Sequence, residues 1–147
     1  MILSGSEILC RNILNPVLTE PVVHAETGLT GGPGPASYDV HIDQDITLWP
    51  RKGVVLASTV EHFEMPDDVA GDVKEKSTLV RQGLFVQNTY IDPGWRGYLT
   101  LELTYEGLAG GNPEPLHLVR GQPIAQIKFG LVLGAATPYS GKKPGDG

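Results

Sequence analysis

From Tyr98 to Leu103 the chain alternates residue by residue, with Leu99, Leu101 and Leu103 on one side and Tyr98, Thr100 and Glu102 on the other. A period of two is the pattern of a strand with one apolar face. Shortly before it stands Asp92-Pro93-Gly94-Trp95, a turn in which Pro93 presets φ at the first corner and Gly94 tolerates the second. A carboxylate, Asp92, thus enters a rigid turn, and a second carboxylate, Glu102, sits on the strand that leaves it. Glu102 shares its side with Thr100 and Thr104, away from the leucines. Upstream, Lys76, Ser77, Thr78 and Arg81 form a compact polar cluster, followed by the apolar run Leu84-Phe85-Val86. Loops held by rigid strands are where binding and catalytic groups gather. The stretch Glu75 to Glu102 is therefore the chemical centre, and the remainder reads as its scaffold.

The same alternation recurs along the chain. Ser37 to Leu48 sets Tyr38, Val40 and Ile42 against Ser37, Asp39 and His41, a half-buried strand. Val54 to Val60, Glu61 to Met65 (a separate strand or its continuation), Val69 to Lys74, Leu116 to Val119 and Ile124 to Val132 supply more. The 19 glycines and 12 prolines have no G-X-Y period, so they mark turns between short strands. Such a chain predicts an all-β sandwich or barrel, mainly antiparallel. One helix is expected over Ser4 to Leu14, capped by Ser4 or Ser6 with Glu7 as its capping-box partner and stopped by Pro16. Ile8, Leu9, Ile13 and Cys10 would form its apolar face. Val17 to Pro35 reads as an extended arm followed by a mobile Gly-Pro loop, and Glu106 to Pro115 as a surface excursion. The 147 residues suit a single domain, 1–147, with 134–147 as a mobile tail.

Composition narrows the classes. The lone cysteine, Cys10, excludes an intrachain disulfide framework and reads as a small buried hydrophobe in a reducing, cytoplasmic compartment. The amino terminus lacks the basic and apolar regions of a secretory signal, and no apolar run approaches the ~20 residues of a membrane helix. A formal net charge of −6 argues against general nucleic-acid binding. His24, His41, His62 and His117 lack the spacing of zinc ligands, and one cysteine cannot supply the Cys pair of a zinc deaminase. A triphosphate remains an eligible ligand. It needs only a local set of donors, which Lys76, Ser77, Thr78 and Arg81 offer, and Mg²⁺ carried on its own oxygens. Taken alone, the cluster also fits an ordinary solvated turn. Gln126, inside Ile124-Ala125-Gln126-Ile127, needs partners once buried, either a structural hydrogen bond or a ligand.

Several segments in order resemble one superfamily, the dCTP (deoxycytidine triphosphate) deaminases and trimeric dUTPases (deoxyuridine triphosphatases). They are Met1-Ile2-Leu3-Ser4, Ser37-Tyr38-Asp39-Val40, Pro66-Asp67-Asp68-Val69, Ser77-Thr78-Leu79-Val80-Arg81, Ile91 to Gly97, Leu99 to Leu103, Gly121 to Phe129 and Pro138-Tyr139. The resemblance implies a β-clip, jelly-roll-like dUTPase fold, a homotrimer, and active sites between subunits. It implies catalysis by Glu102, Asp92 and Ser77. The substrate residues it implies are Lys76, Ser77, Thr78, Arg81, Asn88, Asp92, Trp95, Gln126, Tyr139 and Lys142. Lys76, Ser77, Arg81 and Gln126 would meet phosphates, Asp92 the 3′-hydroxyl, and Trp95 the sugar face. Glu102, ten positions after Asp92 as in the deaminases, would move protons between water, N3 and the leaving ammonia. Typical dUTPases carry an apolar residue there. The interval Gly83 to Asp92 nevertheless matches dUTPase spacing. A diphosphatase with Asp92 as base, a bifunctional enzyme and a nucleotide sensor without turnover therefore stand beside the deaminase.

Overall fold

The computed structural model describes residues 1–134 and 137–141. In chain order the elements are α1 (Gly5–Cys10), β1 (Leu14–Asn15), β2 (Val22–Val23), β3 (Thr30–Pro33), β4 (Tyr38–His41), β5 (Ile46–Leu48), β6 (Val54–Glu64), β7 (Val69–Glu75), α2 (Ser77–Val80), β8 (Leu84–Val86), β9 (Tyr90–Ile91), β10 (Arg96–Tyr105), β11 (Leu116–Leu118) and β12 (Pro123–Leu131). The all-β expectation with a short amino-terminal helix holds. A four-stranded sheet runs β1-β6-β10-β8 and a six-stranded sheet β2-β3-β4-β12-β7-β9, with β5 and β11 paired alongside. Every named strand pair is antiparallel.

Strand periodicity places the core. Tyr38 and Val40 on β4, Phe63 on β6, Leu101 and Leu103 on β10, and Ile127 and Phe129 on β12 are all fully buried. Their facing rings meet, with Phe63 and Phe129 centroids 6.4 Å apart. The Tyr38 hydroxyl accepts the Leu18 N–H at 2.9 Å, and burial pushes its pKa up to about 12.

Four expectations are corrected. The helix spans only Gly5–Cys10. Ser4 caps it by accepting the Glu7 N–H, but the Glu7 carboxylate turns to Arg11 instead of back to the cap. Asn12, at φ 52°, ends the helix, and Leu14 and Asn15 enter the sheet. Cys10 is exposed, because it lies two residues, about 200°, from the buried Ile8 and so on the outer face of the helix. Ser37 to Leu48 is two strands where one was expected, while Glu61 to Glu64 continues the bulged strand from Val54, one of the two alternatives left open.

The fourth correction concerns the Gly-Pro segment. Gly31, Gly32 and Pro33 are buried strand residues of the six-stranded sheet. Glycine is required here by close approach: a Cβ on Gly31 would lie 2.1 Å from Nε2 of His41. That ring cannot step aside freely, since its Nδ1 is 2.6 Å from the buried Glu61 carboxylate, whose other oxygen accepts the His41 N–H at 2.9 Å. Gly31→Ala is expected to destabilise the fold by ~1–3 kcal/mol, the usual cost of overpacking. Urea unfolding checks this, and an unchanged midpoint would mean the ring relocates.

Candidate active site

Three groups of side chains surround the centre singled out in the sequence. The first is built on the turn. Trp95 N–H donates to the Asp92 carbonyl at 3.2 Å, and Gly94 takes φ 82°, the left-handed corner that favours glycine. Asp92 stands exposed at the mouth of a cleft of about 230 Å³ lined by Tyr90, Ile91, Trp95, Leu99 and Tyr139. Trp95 is half-buried, with its ring 6.0 Å from that of Phe63. It thus braces the core and walls the cleft together. The Tyr139 N–H donates to the Pro93 carbonyl at 2.6 Å, which seats the closing segment on the turn. Tyr90, Ile91 and Leu99 were not singled out beforehand. The alternation around them shows which way they face, but not that a distant tail residue would complete the cleft.

The second group is the polar cluster. Lys76 is the N-cap of α2 and makes no side-chain cap bond. Ser77 and Thr78 are exposed on the first turn, and Arg81 closes it with its N–H on the Ser77 carbonyl. Ser77 and Arg81, four apart, share a face of this turn. Lys76 departs from the picture of a free cation. Its largely buried ammonium lies 2.6 Å from Asp39 and 3.0 Å from the Thr30 carbonyl. The signal for this was Asp39 itself, a carboxylate on a strand with a buried alternate face. Gln126, across the ladder from Asp39, donates to the Glu75 carbonyl at 2.9 Å and meets Ser37 at 3.5 Å. With Lys74, Lys128, Ser37, Ala36 and Ile2 it lines a second cleft of about 280 Å³.

The third group surrounds Glu102. Leu101 and Leu103 are fully buried, so the half-buried Glu102 side chain stands on the opposite, outer face of β10. Its neighbour across the ladder is Leu56, which is 62 % exposed. Thr104, on the same face, keeps a buried Oγ1 without a partner among the described residues. Asn88, expected to touch substrate, gives its amide to β10 instead, donating to the Thr100 carbonyl at 2.7 Å and accepting the Glu102 N–H at 2.9 Å. The cleft that holds Asp92, Trp95 and Tyr139 does not include Glu102. Within one protomer the three groups are thus neighbours in sequence and sheet rather than one closed pocket. Lys142 lies outside the described residues. A further hollow of about 260 Å³, under the loop 106–113, contains none of the expected site residues.

A mostly-β chain with this strand-turn-strand arrangement has the dUTPase-like fold. The EIAV dUTPase aligns at TM-score 0.58 and 22% identity over 85% of this chain and 94% of that one. The deoxycytidine triphosphate deaminase of Agrobacterium tumefaciens aligns at 0.63 and 19% over 87% of this chain and 47% of that one. A phage phi11 dUTPase, whose structure describes a structural Mg(II) ion, aligns at 0.60 and 15% over 88% and 94%. The chain belongs to the dCTP deaminase-like family, whose model matches residues 22–132. The dCTP deaminases of Thermococcus kodakarensis and Pyrococcus furiosus are 38% and 37% identical to it over 108 residues, 73% of this chain and 66% and 65% of theirs. The chain thus spans about two thirds of the length of those relatives.

The Lys76–Asp39 pair gives a prediction that needs no nucleotide. Lys76→Met leaves Asp39 largely buried and unpaired. We expect a loss somewhat below the ~3–5 kcal/mol of a fully buried pair, because both side chains keep some solvent contact. Thermal unfolding of the unliganded protein checks it, and an unaltered midpoint would make the pair incidental.

Proposed function

We propose that the protein is a dCTP deaminase, converting dCTP and water to dUTP and ammonia. The carrying observation is Glu102, a half-buried carboxylate on the outer face of β10. Among the described residues it has no hydrogen-bond or ion-pair partner of its own. In this reading Glu102 takes a proton from water as the oxygen adds to C4 of cytosine. It delivers that proton to N3, and then assists proton transfer to the amino nitrogen, which leaves as ammonia. Ser77 orients the water. Asp92 receives the 3′-hydroxyl, with Trp95 and Tyr139 against the sugar. Ser77, Thr78, Arg81 and Gln126 hold phosphates, with Lys76 fixing the base of their turn through Asp39, and Lys142 adds a cation from the tail. Mg²⁺ would be carried on the triphosphate, bound by phosphate oxygens and water. It would neutralise phosphate charge there, and no proton transfer is assigned to it.

The site is completed by assembly as a homotrimer with substrate between subunits. Supporting this, the outer face around Glu102 exposes Val54, Leu56 and Tyr98, at 57 %, 62 % and 59 %. An apolar face of this kind marks a contact surface. A mass near three times 15.8 kDa is expected in sedimentation, and Leu56→Asp is expected to lower both that mass and activity. A monomeric active protein would refute the shared site.

A second reading, a diphosphatase using Asp92 as base, is favoured by the cleft that gathers Asp92, Trp95 and Tyr139 without Glu102. One assay separates them. The protein is incubated with Mg²⁺ and each deoxynucleoside triphosphate, and ammonia and pyrophosphate are measured independently. Ammonia from dCTP that is lost in Glu102→Gln, by about 10²-fold or more, is expected. Pyrophosphate alone, lost in Asp92→Asn, establishes the second reading; both products mean a bifunctional enzyme, and neither a sensor.

A further inference from the structure

The chain leaves the four-stranded sheet after Val86, yet its hold on β10 does not end there. Backbone pairing of β8 with β10 reaches Val86 opposite Leu103, and the Gln87 N–H still donates to the Glu102 carbonyl at 2.8 Å. One residue on, the main chain turns aside towards β9 and the side chain of Asn88 takes over. Its Oδ1 accepts the Glu102 N–H at 2.9 Å, and its Nδ2 donates to the Thr100 carbonyl at 2.7 Å. A carboxamide offers the donor and acceptor of a peptide group, so Asn88 extends the ladder by one step without backbone. The result is specific to one residue. Both main-chain hydrogen-bonding groups of Glu102 are held from this segment, its carbonyl by Gln87 and its N–H by Asn88.

We propose that Asn88 is a positioning residue, which fixes Glu102 for proton transfer and does not contact the nucleotide. The role rests on the deaminase reading of Glu102. A base that serves water, N3 and the leaving nitrogen in turn must stay within hydrogen-bond reach of all three. An error of about 1 Å in such placement costs on the order of 10²-fold in rate. Glu102 has no side-chain partner of its own among the described residues, so its placement depends on the backbone that carries it. The same geometry turns the Asn88 amide towards β10, where one N–H and one oxygen lone pair are engaged. The Thr100 carbonyl and Glu102 N–H, a matched pair that a pyrimidine edge could otherwise engage, are also occupied.

The test compares ammonia release from dCTP with Mg²⁺ by the unaltered protein, Asn88→Ala and Asn88→Asp, alongside backbone amide exchange at Glu102. Asn88→Ala is expected to lower kcat by about tenfold or more, to leave KM within about twofold, and to speed exchange of the Glu102 amide. Asn88→Asp keeps the acceptor for Glu102 N–H and loses the donor, so it should recover part of kcat. A higher KM at unchanged kcat makes Asn88 a substrate ligand and overturns the proposal. A lower thermal midpoint with kcat and KM both unchanged makes the amide purely structural and overturns it as well. Should Asn88→Ala fail to fold, Asn88→Asp decides: a reduced kcat at unchanged KM supports the role, and full kcat defeats it. Absence of ammonia from the unaltered protein defeats the deaminase reading and this role together. Ammonia from it, with full kcat in both variants, defeats the role alone.

Discussion

The long antiparallel pairing of β6 with β10 is the constraint on which the remaining geometry depends. It runs from Thr104 opposite Val54 to Arg96 opposite Glu64, with a shift of register between Tyr98 and Thr100. The shift is held by Thr59, whose buried hydroxyl accepts the Leu99 N–H at 3.1 Å and donates to the Glu61 carbonyl at 2.7 Å. Beyond it, Phe63 packs inward against Trp95 and Phe129. On the near side, Leu101 and Leu103 point to the core while Glu102 points away. A bulge increases local twist and re-aims the side chains beside it. Here one bulge lets a single strand pair serve two purposes, bracing the Asp92 turn at one end and displaying an outward carboxylate at the other.

Charge is arranged around that frame in tight pairs rather than spread as a field. Lys76 is tied to Asp39 and Thr30, and His41 to Glu61. The His41–Glu61 contact joins β4 to β6, and Lys76, at the N-cap of α2, is tied back to β4 and β3, so each contact fixes the placement of one part of the sheet system against another. Arg81, at the end of α2, stands exposed. This division between Lys76, tied inside the fold, and Arg81, exposed beside it, is the electrostatic basis for proposing phosphate contact at the Ser77–Arg81 turn.

Much of the fold was legible because period-two alternation is a local property. The strands at 69–75 and 123–131, and the Asp92 turn with its glycine corner, follow from patterns a few residues long. What escaped the sequence depends on distant partners. Gly31 and Gly32 read as loop because glycine usually marks one; their burial comes from the His41 ring and the 18–20 segment, which no local pattern announces. Cys10 read as buried by residue type, while its exposure follows from its place on the helix face opposite the buried Ile8. Lys76 and Asn88 were recognised as polar groups near the centre, and both stand there. Their partners, Asp39 at 37 positions' distance and the backbone of β10, were invisible in sequence. The order of the motifs gave the family; the neighbours of each side chain needed the coordinates.

The carboxamide bridge from Asn88 also bears on solubility. A strand that outlasts its neighbour presents bare N–H and C=O groups, an invitation to edge-to-edge pairing with a stray chain. β10 outlasts β8 in this way. By satisfying the Glu102 N–H and Thr100 carbonyl with a side chain, the protein blunts that edge where it would otherwise be stickiest, without committing another strand to cover it.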